Sequence, residues 1–312
     1  MIRIVRRLLE LMIFILILSF VSFIIMKLAP GDAIRELLSA DDVALEQETI
    51  EGHREEMGLN RPLLEQYEDW LSGLIRFDLG QSFMTQRPVT EELLTRIPAT
   101  LLLTGTSILI MLLLAIPLGI LSTVSSYRTI NRFSRVFAVI GTSMPGFWLG
   151  ILLIEFFSVR LSWLPSMGIG TPQHLILPSL TLGVTMAAVY VRMVRSSMST
   201  SMEKDFVLGA KARGVAPWRV TLNHGFRNAL SPLLGMFGVT VGSLLGGTVV
   251  VEVLFSYPGL GKLSIDAIQN RDYPIIQGYM VVVALMITFF NLMIDAIQWW
   301  LQPEIRLRGR KR

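Results

Sequence analysis

EKDFVLGAKARGVAPWRVTLNHGFRNALSP, residues 203–232, is a polar, basic island between two long apolar segments. From Arg192 to Arg227 the chain holds seven basic residues (Arg192, Arg195, Lys204, Lys211, Arg213, Arg219, Arg227) against two acids, Glu203 and Asp205. A short loop with such an excess belongs on the cytoplasmic side of a membrane protein. The stretch reads as two short helices around a turn. Residues 205–213 are good helix formers with Phe206, Val207 and Ala210 on one face. Gly214 stops that helix, and Pro217 suits the first turn of a second one running through Trp218, Val220, Leu222 and Phe226. A short amphipathic helix presented to the cytoplasm suits docking into a groove on a soluble partner. A basic loop resting on anionic lipid is the other reading of the same residues.

Outward from the island, the rest of the chain is apolar in blocks. Of 312 residues, 52% are hydrophobic and 17% charged, which points away from a soluble enzyme and toward a membrane protein. There is no cysteine, so disulfides, thiolate metal sites and cysteine nucleophiles are excluded. Residues 8–28 form an apolar run behind Arg3, Arg6 and Arg7. A signal peptide is the alternative, but the run is long for one and no clean cleavage site follows, so a retained first span is expected.

Residues 29–96 are polar, with fifteen acids against six basic residues from Asp32 to Arg96, and are expected outside. Polar and mixed helices are expected at 46–57 and from Pro62 through Tyr67, Trp70, Leu71 and Leu74, with a loop at 77–82. Residues 97–127 carry no charge and make a second span. A third is expected over 136–159 with a kink at Ser143-Met144-Pro145-Gly146, a fourth over 175–191, a fifth over 229–251 and a sixth over 278–301. Six helical spans with both termini in the cytoplasm put every basic cluster, including the Arg306–Arg312 tail, on one side.

Gly238, Gly242 and Gly246 are spaced by four and read as a helix-packing face. Three acids fall within or near spans, Glu10, Glu155 and Asp295. Asp295, four residues after Asn291, is the best candidate for an intramembrane polar contact, and Glu252 is a candidate to line an outer mouth. His53, His174 and His224 have no ligand spacing, so no metal site is expected. The stretch SYPGLGKL (256–263) resembles a phosphate-binding loop but lacks its first glycine and the hydroxyl residue after lysine. No catalytic set and no cofactor are expected, and the chain is not expected to hydrolyse ATP by itself.

Residues 203–232 resemble the coupling loop of permease subunits in binding-protein-dependent ABC importers, in the form used by the peptide and nickel branch. The family's small-residue run ending in glycine corresponds to Ala210, Ala212 and Gly214, and its distal proline to Pro232. Leu208 stands where the loop's usual acid would be, and Asp205 is the nearest acid upstream. The resemblance covers nearly the whole chain through an ordered set of motifs: LAPGD (28–32), GLNRPL (58–63), DLGQS (78–82), RPV (87–89), SMP (143–145), WLP (163–165), ILP (176–178), RSSM (195–198), Arg227-Asn228-Ala229, FSYPGLG (255–261) and RDYP (271–274).

It implies an all-α polytopic membrane protein with the type I ABC importer permease fold, in a prokaryotic plasma membrane. The transmembrane domain would span about 97–301, with the coupling loop at about 196–230, a first helix at 1–28 before it and a basic tail at 302–312. The implied partners are a second homologous permease, two cytoplasmic ABC ATPases, an extracytoplasmic substrate-binding protein and membrane lipid, with no nucleic acid. Cargo is expected to be short peptides, with nickel or a metal chelate as the alternative. An ion-coupled secondary transporter would need its own coupling site. An intramembrane enzyme would need a nucleophile and base, and neither set emerges.

Overall fold

The computed structural model describes residues 60–124 and 127–301, together with 9, 12–21, 23, 24 and 52. The basic N-terminus, the turn at 28–32, most of the polar helix expected at 46–57 and the basic tail lie outside the described residues. Regular structure among the described residues is helical, apart from one isolated antiparallel bridge between Gln81 and Pro88.

In order these helices are α1 (Met12–Val21), α2 (Leu63–Ile75), α3 (Val89–Val124), α4 (Arg128–Ser143), α5 (Gly146–Leu153), α6 (Ile176–Met202), α7 (Asp205–Ala212), α8 (Arg227–Leu254), α9 (Leu260–Gln269) and α10 (Tyr273–Leu301). Helical structure also leads into α8 without a break, from Pro217 through a π-helical segment, Val220–Phe226. The expected fifth span and the second short helix of the basic loop are therefore one continuous stretch of 38 residues, Pro217–Leu254, where two separate helices were expected. Among the described residues four helices are long and apolar enough to cross a bilayer, or five if residues 128–143 and 146–160 together count as one broken span. Of the first expected span, residues 8, 10, 11, 22 and 25–28 lie outside the described residues.

Two boundaries differ from the sequence reading. The second span begins at Val89, inside the region expected to be extramembrane, because residues 89–96 continue the helix with Glu91 and Glu92 in its first turn, where acids complement the helix dipole. The third span is not kinked but broken, with α4 and α5 meeting at 103°. Pro145 bars its predecessor from the helical region, and Met144 is extended at φ −94°, ψ 128°.

The chain divides into two compact units, residues 1–99 with 258–288 and residues 100–257 with 289–312. In the first, Leu79, Val89, Leu93, Leu260, Ile275 and Ile276 form a buried cluster. The starts of α3 and α10 are in close contact there, since a Cβ on Gly278 would sit 2.7 Å from Val89 Cγ1. In the second, α6 is the hub against which α3, α4, α5 and α8 pack. Small residues let these helices approach. A Cβ on Gly119 would fall 2.5 Å from Val194 Cβ, one on Gly141 2.4 Å from Ala188 Cβ, and one on Gly183 2.7 Å from Ile110 Cβ.

Candidate functional site

The loop expected to couple to a partner, residues 203–230, is built by local physics. Helix α7 begins at exposed Asp205, whose charge suits the positive helix start. It ends in a Schellman turn: Gly214 N–H donates to the Lys211 carbonyl at 3.0 Å and Val215 N–H to the Ala210 carbonyl at 3.2 Å. Gly214 has φ +74°, the left-handed conformation that glycine adopts without strain. Val207, Ala210 and Val220 are buried together with Val215 and Met202 against them, so the loop has its own small apolar core.

This core corrects the expected docking face. Val207 and Ala210 point inward, while Phe206 and Leu208 are exposed with Trp218 and Leu222. Arg219 lies over the Trp218 ring at 5.2 Å, and Lys204, Lys211 and Arg213 are exposed around it. The surface presented is aromatic and aliphatic with a cationic rim. Ala212 is exposed beside it.

Hydrogen bonds close the loop at its base. Ser201 Oγ donates to the Gly225 carbonyl at 2.7 Å, and Asn228 Nδ2 donates to Ser201 Oγ at 3.1 Å. Lys204 Nζ reaches Asn228 Oδ1 at 3.5 Å. Gly225 lies in the π-helical segment and is jammed on Met202, with room for no Cβ (2.6 Å to Met202 Sδ). Pro232, expected at the far end of the loop, lies inside α8 and is exposed. The end of α6 and Lys204, which precedes α7, are thereby tied to the π-helical segment and the start of α8.

The three glycines spaced along α8 do not share one environment. Gly238 lies against Asn291 of α10, with Oδ1 2.8 Å from where a Cβ would stand, and Gly242 is half-buried. Gly246 is exposed and has no neighbour within 4 Å of that position. Gly235 meets Gln298 in turn, so Asn291, Asp295 and Gln298 run along α10 at helical spacing beside the glycine-bearing face of α8.

Glu252 does not line an open mouth in this chain. It is fully buried, and its Oε1 accepts a hydrogen bond from Thr100 Oγ1 at 2.7 Å. Tyr257 N–H donates to the Glu252 carbonyl at 2.8 Å. Burial, with the Glu252 charge adding, pushes the Tyr257 phenol above its ordinary pKa, so it stays neutral. Glu155 is exposed and paired with Arg160 at 3.0 Å, an interaction of small energy.

The sequence reading did not single out Asp272. Its carboxylate is buried and gathers Ser82 Oγ in a short hydrogen bond, Phe83 N–H at 3.1 Å and Met84 N–H at 3.4 Å. Two motifs 190 residues apart, DLGQS and RDYP, are thereby locked together. Above the lock, residues 82–87 fold back on themselves, with Ser82 N–H donating to the Arg87 carbonyl at 2.9 Å. The two motifs were legible separately; their pairing needed coordinates.

The histidines that the structure describes have local partners. His174 Nδ1 lies 2.9 Å from Thr171 Oγ1 at a helix start, and His224 Nδ1 lies 3.4 Å from the Arg219 carbonyl. Among the described residues no group of three His, Asp or Glu is placed to hold a metal ion. The loop at residues 203–230 presents an exposed apolar surface with a cationic rim, and residues 82–87 are separately held in an ordered turn.

Comparison with known proteins gives the family. Residues 115–307 match the family model for the binding-protein-dependent transport system inner membrane component, and residues 1–104 match that for the N-terminal part of such membrane components. The glutathione transport system permease protein GsiC of Escherichia coli K12 is 39% identical over 305 residues, covering 98% of this chain and 99% of its own. GsiC of Shigella dysenteriae serotype 1 matches to the same extent. Among solved structures, the inward-facing MetNI methionine ABC transporter aligns with a TM-score of 0.57 at 19% identity, over 68% of this chain and 97% of its own. An amino acid ABC transporter aligns at 0.52 and 17%, over 69% and 94%. The chain therefore belongs to the inner membrane components of binding-protein-dependent transport systems, and is a multi-pass permease subunit of an ABC importer.

Proposed function

We propose that this permease passes short peptides inward by alternating access, driven by ATP hydrolysed on partner subunits. The observation that carries the cargo class is the similarity, along nearly the full chain, to permeases named for glutathione, a tripeptide. Two ABC ATPases dock on the coupling loops of this chain and of a second permease, and a substrate-binding protein delivers cargo from outside. ATP shifts the conformational balance only through a difference in its affinity between the two states. Exposed Phe206, Leu208 and Trp218 with their cationic rim supply the docking anchors, a composition suited to an apolar groove with an acidic edge. Ala210 acts from beneath by supporting α7, and Asp205, Ala212 and Gly214 by shaping its ends. The exposed Gly246 side of α8 is where a second permease would pack. In this reading the outer end is residues 29–96 with 255–276, and both termini are cytoplasmic.

Gly214→Asp tests the docking assignment. Aspartate tolerates the left-handed conformation better than most residues, so the loop is retained while an acid enters its basic face. The expected result is weaker co-purification with the ATPases and unchanged membrane insertion. Unchanged co-purification contradicts the assignment. Cargo is tested by paired uptake of a labelled short peptide and labelled nickel in cells with and without the gene. Loss of peptide uptake alone is expected; loss of nickel uptake alone moves the function to metal acquisition on the same fold.

A further inference from the structure

Helix α2 carries its apolar side chains on one arc and its acids on the other. Tyr67, Trp70, Leu71 and Leu74 are half-buried, whereas Glu65, Glu68 and Asp69 are exposed. Tyr67 sets where the apolar arc points. Its hydroxyl lies 3.0 Å from Ser19 Oγ and donates to the Leu16 carbonyl at 3.2 Å, and its ring meets Phe20 and Phe23 at centroid distances of 5.3 and 5.8 Å. All four belong to the apolar run 8–28 read as a membrane span. Helix α2 is therefore laid against a segment that sits in lipid.

Among the described residues nothing covers the rest of the arc. At 100° per residue, Leu64 and Ile75 fall between Tyr67 and Glu68, and they are 64% and 73% exposed. They continue the apolar surface that α1 exposes at Ile13, Ile17 and Phe20. Phe77 then ends the helix in a Schellman turn at φ +62°, with Asp78 N–H on the Gly73 carbonyl at 2.9 Å, and is 89% exposed. The left-handed region is costly for an aromatic residue, and here it displays the ring outward. Tyr67 and Trp70, stacked at 6.0 Å, are the residue types that favour the boundary between acyl chains and water.

We infer that α2 is an interfacial helix lying in the plane of the bilayer surface, with Leu64, Ile75 and Phe77 in lipid, Glu68 at the boundary, and Glu65 and Asp69 in water. The occupant of the uncovered arc is lipid rather than another protein, because the arc runs on from the lipid-facing side of α1 through Tyr67. Placement in the outer leaflet rests on the charge-based orientation of the spans; the interfacial position rests on the reading of residues 8–28 as a span.

The chain lacks cysteine, so single nitroxide labels can be placed directly. Labels at Ile75→Cys, Leu64→Cys, Asp69→Cys and, as a lipid reference, Ile17→Cys are compared in the assembled transporter in nanodiscs of phosphatidylethanolamine and phosphatidylglycerol. The readout is collision with oxygen against collision with a water-soluble nickel chelate. The ratio at positions 64 and 75 is expected to approach that at 17 and to exceed that at 69, on the far side of the helix, several-fold. Equal ratios at 64, 75 and 69 overturn the inference in favour of a helix standing in water. Labels at 64 and 75 shielded from both reagents overturn it in favour of a protein partner. A label at 17 that collides with the nickel chelate removes its premise, the span itself, while leaving peptide uptake and ATPase docking to be judged separately.

Discussion

Asp272→Ala is expected to release the loop at residues 79–88. The wild-type carboxylate accepts from Ser82 Oγ and from two backbone N–H groups, at Phe83 and Met84. Alanine strands all three donors, and each buried donor left without a partner costs about 1–3 kcal/mol. A total near 3 kcal/mol corresponds to about a hundredfold faster hydrogen exchange across the loop. Asp272→Asn is expected to fall between, because its amide can serve the Ser82 hydroxyl as donor but offers no second oxygen to Met84. The measurement is hydrogen–deuterium exchange on the purified protein. Wild-type exchange rates in Asp272→Ala would show that other contacts hold this loop.

Gly183→Val is expected to force α3 and α6 apart. A Cβ alone would stand 2.7 Å from Ile110 Cβ and 2.9 Å from the Ser107 carbonyl oxygen, which is backbone and cannot rotate away. Overpacking of this kind costs about 1–3 kcal/mol, and two further methyls put this site at the upper end. The control is Gly246→Val, where no atom lies within 4 Å of the added Cβ. Thermal unfolding in detergent should show a clear loss for Gly183→Val and little change for Gly246→Val in the isolated subunit. Equal melting temperatures would mean that α3 and α6 do not pack closely at Gly183. If Gly246→Val instead weakens assembly of the complete transporter, the open side of α8 is the contact with the second permease.

What could be read from the sequence follows how local each signal is. The charge-free run before Tyr127 announces a helix crossing a membrane, because a buried charge is costly there. Gly214 and Pro217 mark the turn of the coupling loop, because each acts on its own backbone. The break at Pro145 was legible as a disturbance, but its 103° angle was not. Burial was less legible still. Glu252 is hidden by contacts that include Thr100, 152 residues away, and Asp272 meets Ser82 across 190. Nothing in the neighbourhood of either acid signals such a partner. The glycines show the same limit from the other side. Gly238, Gly242 and Gly246 are regularly spaced, whereas closer approaches than any of theirs fall at unpatterned Gly119, Gly141, Gly150 and Gly183. The inward turn of Val207 and Ala210 depended on Val215 and Val220 folding back over them, which the amphipathic pattern of α7 does not reveal.

The most direct test of the account is transport by the reconstituted complex of this chain, its partner permease, its ATPases and its binding protein. Labelled short peptide is supplied outside proteoliposomes with ATP inside, and uptake is compared for active and hydrolysis-dead ATPases. Uptake is expected to require the binding protein and active ATPases and to fall when this chain carries Gly214→Asp. Uptake that persists with dead ATPases, or that follows an imposed ion gradient instead, would contradict it.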